Sequence, residues 1–119
     1  MAHDLKEGDF LVFQLEAGYG LLRLLAIDDS NGETIWHLTA YNDLFGSVDS
    51  AEAAAKEPSK LSASIPHVAL TTRAFESTQV ASISNEPLTD SEAGLISDWR
   101  SLADPPISDR SIRLLMGLR

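Results

Sequence analysis

The chain has 119 residues, 44% of them hydrophobic and 23% charged, a balance that suits one globular domain with one core. It contains no cysteine, which excludes disulfides, zinc–thiolate centres and a cysteine nucleophile. Its formal net charge of −9 argues against general nucleic-acid binding, because phosphate contacts need clustered Lys and Arg; no apolar run approaches the roughly 20 residues that span a bilayer.

The N-terminal MAHDLKEGD lacks the positive region and apolar stretch of a secretory signal, so the expected location is the cytoplasm. Residues 9–16, DFLVFQLE, form the first predicted strand. Both of its faces are largely apolar, which suits a strand buried on two sides. Glu16-Ala17-Gly18-Tyr19-Gly20 reads as a short connection, its glycines open to the positive φ of a tight turn. LLRLLAID, residues 21–28, is the second strand. Asp29-Ser30-Asn31-Gly32 follows, and Asn-Gly is the preferred central pair of a type I′ hairpin. Residues 33–41 complete a three-stranded meander.

Residues 49–57, DSAEAAAKE, predict a helix with Ser47 or Asp49 as its cap and Pro58 as its stop. A loop over residues 59–64 leads to a fourth strand over 67–75, HVALTTRAF, and a fifth over 79–84. Thr89-Asp90-Ser91-Glu92 is a capping box, and Leu95, Ile96, Trp99, Leu102 and Ala103 keep helical spacing, giving a helix over residues 90–103. The tail, residues 106–119, fits either a short amphipathic helix or an added strand. It carries Arg110, Arg113 and Arg119 against Asp109 alone, so the rest of the chain is more acidic than the whole. The expected fold is a single α+β domain over residues 1–119: a strongly curved, mainly antiparallel sheet of about five strands, SH3-like or a partly open barrel, with two helices.

The chemistry-bearing residues form no familiar constellation. Asp28-Asp29-Ser30-Asn31-Gly32-Glu33 superficially resembles a calcium loop. Aligning Gly32 with the loop glycine, however, puts Ile27 and Leu38 where ligands are required. His3, His37 and His67 lie far apart in sequence and read as structural histidines; His37, next to Trp36 in a strand, should face away from it. There is no G-x-S-x-G elbow and no phosphate loop, and Gly18-Tyr19-Gly20 stops short of a dinucleotide fingerprint. No catalytic residue, metal or cofactor is assigned.

A binding surface is the remaining option, because aromatics with polar ends are enriched at interfaces. The candidate partner-binding residues are Tyr19, Trp36, Tyr41, Arg110 and Arg113, with core packing the competing role for Trp36. Trp99, on the apolar stripe of its helix, should be core. The tail offers a surface for a second copy of the chain.

Lys6-Glu7-Gly8-Asp9-Phe10, Gly18-Tyr19-Gly20-Leu21 and Arg23-Leu24-Leu25 resemble the opening of a bacterial immunity-protein family of polymorphic-toxin systems. Arg73-Ala74-Phe75 and Leu88-Thr89, with Glu92 before Trp99, are similar to its later strands and helix. The resemblance covers about half the chain. It implies a small bent sheet with added helices and neutralisation of a toxin by direct binding; the matched positions are turns and core, so no functional residue carries over. The expected function is therefore non-enzymatic protein binding, with a basic toxin domain as the partner and the acidic face in its substrate groove. The alternative is a small-ligand binder or hydrolase with its site in the mouth of the sheet.

Overall fold

The computed structural model describes residues 4–118. Five strands form one antiparallel sheet in the order β4-β3-β2-β1-β5: β1 (Asp9–Leu15), β2 (Gly18–Ser30), β3 (Glu33–Phe45), β4 (Ala63–Thr71) and β5 (Val80–Asn85). Four helices complete the α+β domain: α1 (Val48–Ala55), α2 (Thr72–Glu76), α3 (Asp90–Arg100) and α4 (Ile112–Leu115). The sheet is open, with β4 and β5 as its edges. Register shifts interrupt the β1–β5, β2–β3 and β3–β4 ladders, and such bulges bend and twist a sheet. His3 lies outside the described residues.

The β2–β3 ribbon is longer than its composition suggests, 13 residues in each strand. Its turn is the predicted one: Asn31 and Gly32 have φ of 52° and 82°, between paired Ser30 and Glu33. The expected Gly18-Tyr19-Gly20 turn is instead the start of β2, and the chain reverses at Glu16 and Ala17. Gly20 pairs with Phe13, and a Cβ there would lie 2.3 Å from the Phe13 ring. That glycine makes room for an aromatic ring rather than for a turn.

β1 is buried on both sides, as its sequence requires. Leu11 and Phe13 join Leu22, Leu24, Trp36, Leu38, Leu70, Phe75 and Ile112 in one cluster. Phe10 and Val12 join Leu21, Tyr41 and the α1 residues Ala51 and Ala55 on the opposite face. Each Leu or Phe so buried contributes roughly 1.5–3 kcal/mol. A third cluster, Leu25, Ala26 and Ile96, seats α3 on the sheet.

Two expected elements differ. The fourth strand begins earlier and ends at Thr71, because the Thr71 hydroxyl accepts from the Ala74 amide and opens α2. α2 turns Phe75 inward to stack on Trp36, ring centroids 4.3 Å apart. α3 ends at Arg100 rather than residue 103, leaving Leu102 exposed. Of the two forms open to the tail, Ile112–Leu115 takes the helix, and strand pairing is confined to one bridge ahead of it. Ser108 makes that parallel bridge beside Leu70 of β4, and Ile112 enters the core. No helix among the described residues is long and apolar enough to cross a membrane.

Candidate functional site

Asp28 of β2, His37 of β3 and His67 of β4 come together on the face beneath the end of α3. His37 alternates with Trp36 and Leu38, whose side chains belong to the opposite core, so its ring points the other way. Ala26 pairs with His37, which puts Asp28, two residues on, on the same face of β2. Ala69 pairs with His37 from the other side and puts His67 there on β4. The three side chains meet diagonally across the ladder. His37 Nε2 is 3.1 Å from Asp28 Oδ2, and His37 Nδ1 is 2.9 Å from His67 Nε2. Residues 30 positions apart therefore form one chain of hydrogen bonds, correcting the view of His37 and His67 as isolated.

α3 closes the arrangement. Arg100 in its last turn donates Nε to Asp28 Oδ2 at 3.0 Å and also pairs with Oδ1. Trp99 sets its indole edge-on to both imidazoles, 4.6 Å from His37 and 6.5 Å from His67. Trp99 is half-buried, not core as expected; its Nε1 donates to Pro106 O at 2.9 Å and ties the tail to the helix.

The protons can be placed by exclusion. The Arg100 hydrogen bond outweighs burial and holds the Asp28 carboxyl below its ordinary range, so it accepts only. His37 Nε2 must then donate to it. Burial lowers the His37 pKa more than Asp28 raises it, leaving a neutral ring whose Nδ1 accepts. His67 Nε2 therefore donates to His37. Burial first, and His37 second, bring His67 down to about 4. Its Nδ1 is thus an acceptor lone pair, with no hydrogen-bond partner among the described residues. Asp28 and His37 fix the tautomer of His67 as a carboxylate fixes that of a working histidine.

His67 lines a groove of about 620 Å³ between α3 and the tail. Leu95, Trp99, Leu102, Pro106 and Ile107 make its walls largely apolar, and Asp98 and Ser108 add oxygen atoms. Leu102 and Ile107, 51% and 44% exposed, stand on its lip. The polar chain is not arranged as a metal centre, because His37 has both nitrogens engaged with neighbours. No group of three or more His, Asp or Glu among the described residues is placed to hold an ion.

The five residues expected to bind a partner are scattered. Trp36 is 5% exposed, in the core under α2, with Nε1 donating to Thr72 Oγ1 at 3.0 Å. Tyr41 is 6% exposed on the other face, against Phe10 and α1, and burial above all pushes its hydroxyl up to about 12. Both lie in β3: Trp36 is covered by α2, whereas Tyr41, packed beside α1, still edges a hollow of about 530 Å³ formed with Lys56, Glu57, Pro58, Thr89 and Glu92. Tyr19 is half-buried beside a hollow of about 190 Å³ formed with Leu15, Leu44 and Leu118. Arg110 is exposed, and Arg113 donates to Gln14 O at 2.7 Å. Apart from Leu114, the apolar residues of the tail described after Ser111 pack on the chain's own core.

Comparison with family models, with curated proteins and with solved structures finds no match to this chain.

Proposed function

We propose that this chain is a non-enzymatic protein-binding domain whose docking face is the groove between α3 and the tail, and that it neutralises a basic toxin domain. The observation that carries the reading is the pairing of an apolar groove, lipped by exposed Leu102 and Ile107, with a chain of net charge −9. An acidic surface speeds encounter with a basic partner, and apolar side chains on the lip supply the area that desolvates on docking.

Co-expression with a basic toxin domain, sought first among the products of neighbouring genes, tests the reading. Growth protection by the wild type, lost in Leu102→Asp and Ile107→Asp proteins of unchanged circular dichroism, is the expected result. Protection indifferent to both substitutions would remove the groove from the interface. Binding that ignores salt, or charge reversal at Asp98 and Asp104, would remove the electrostatic part.

A second reading, a small-ligand binder or hydrolase, is favoured by the Asp28–His37–His67 chain, which orients a neutral imidazole; with its pKa down at about 4 that ring is a weak base, suited to activated substrates. Turnover of activated esters that disappears in His67→Gln would support it; equal turnover by both proteins would refute it.

A further inference from the structure

The groove combines two kinds of lining that call for one kind of occupant. Its walls, Leu95, Trp99, Leu102 and Ile107, are apolar. Among its polar groups, Asp98 brings a carboxylate, and His67 brings an imidazole whose Nε2 proton is committed to His37. Both residues line the groove, and each carries an acceptor that no hydrogen bond to a described residue takes up. The cation beside this chain, Arg100, is paired with Asp28, and it does not line the groove. An occupant with an apolar stem and a hydrogen-bond-donating cationic head satisfies walls and acceptors together.

We infer that the groove receives a lysine or arginine side chain of a partner protein, its stem against Trp99 and Leu102 and its head shared between the Asp98 carboxylate and His67 Nδ1. The inference rests on the protein-binding reading and specifies the chemistry of the partner. An anionic head would face Asp98 directly, and an uncharged apolar side chain would leave both acceptors unpaired, a cost that sets specificity more firmly than the apolar contacts do.

The test titrates acetyl-lysine-amide and acetyl-arginine-amide, with acetyl-norleucine-amide as the uncharged control, into isotopically labelled protein, followed by NMR of the Trp99 indole and the His67 ring. The basic amides should shift both signals and bind at least tenfold tighter than norleucine amide. Asp98→Asn, a near-isosteric change at an exposed position, and His67→Leu should each erase that preference. Equal binding of norleucine amide, or a preference unchanged in both variants, would overturn the inference. Concentration-dependent self-association that Leu102→Asp abolishes would assign the groove to a second copy and overturn it too. A partner protein whose binding is lost in Leu102→Asp but unaltered in Asp98→Asn and His67→Leu would sink this inference while leaving the protein-binding reading intact.

Discussion

Arg23 is 1% exposed, yet its charge is fully engaged. Its guanidinium donates to both oxygens of Glu92 at 3.0 and 3.1 Å, to Gly8 O at 2.6 Å and to Pro87 O at 3.0 Å, and lies over the Phe10 ring. One side chain thus joins β2 to the segment before β1 and to the start of α3. Arg23→Met should cost about 3–5 kcal/mol, because it leaves the Glu92 carboxylate partly buried without its cation. Arg23→Lys keeps the charge but loses the planar fork, and should still cost about 1–3 kcal/mol. Urea unfolding of the three proteins checks both values; a lysine variant as stable as wild type would show that charge alone matters. Two glycines make a second residue-scale contrast. Gly20→Ala meets the Phe13 ring and should cost about 1–3 kcal/mol through overpacking. Gly32→Ala has open space around it, so its smaller loss, about 1 kcal/mol, would come from a φ of +82° alone.

At the scale of elements, α3 begins on a reciprocal cap: Thr89 Oγ1 accepts from Glu92 N at 3.2 Å, and Glu92 Oε1 accepts from Thr89 N at 2.8 Å. Thr89→Ala should lower stability by about 1 kcal/mol. Because α3 carries Trp99 and Arg100 to the polar chain, the Trp99 indole signal should broaden in the same variant; an unaltered indole signal would mean that the sheet alone holds the helix end. This cap was legible in the sequence, as were the Asn31-Gly32 turn and the two-sided burial of β1, because each is a local pattern. α2 was not. HVALTTRAF alternates well enough to pass for one strand, and the overlooked signal was Thr71 standing three residues before Ala74, in position to cap. The site was half legible. A type I′ turn centred on Asn31-Gly32 sets Ile35 opposite Asp28, which places His37 on the face of Asp28. His67 was not legible, since β3 and β4 are joined through α1 and a 3₁₀ turn (Pro58–Lys60) and their register shifts at Leu38 and Ala40.

For the whole molecule, these groups imply a two-stage response to acid. His67 in the folded chain protonates only near pH 4, whereas in the unfolded chain it does so near 6.5. Below about pH 6.5 the unfolded state therefore binds the extra proton, and stability falls with pH until the folded ring titrates near 4. His37, lowered chiefly by burial, acts in the same direction. Asp28, held down by Arg100, and Glu92, whose hydrogen bonds from Arg23 and Thr89 overcome the effect of burial, take over below the ordinary carboxylate range. Urea midpoints measured from pH 8 to pH 3 should fall along both limbs. His67→Gln should flatten the upper limb and leave the lower one; an upper limb unchanged in that variant would assign it elsewhere.

The single bridge at Ser108 has a consequence for how the molecule behaves in company. β4 is an edge strand. Pro66 lacks an amide proton within it, and the tail supplies Ser108 N to Ala69 O at 2.8 Å and accepts Thr71 N at 3.0 Å. Those contacts occupy backbone groups that would otherwise recruit a strand from another chain. Ser108→Pro, which removes the amide that bonds Ala69 O and leaves Ile112 in the core, should therefore promote association through β4, visible as thioflavin fluorescence growing with concentration. If light scattering finds the variant no more associated than the wild type, Pro66 is enough to keep the chain from templating its own fibres.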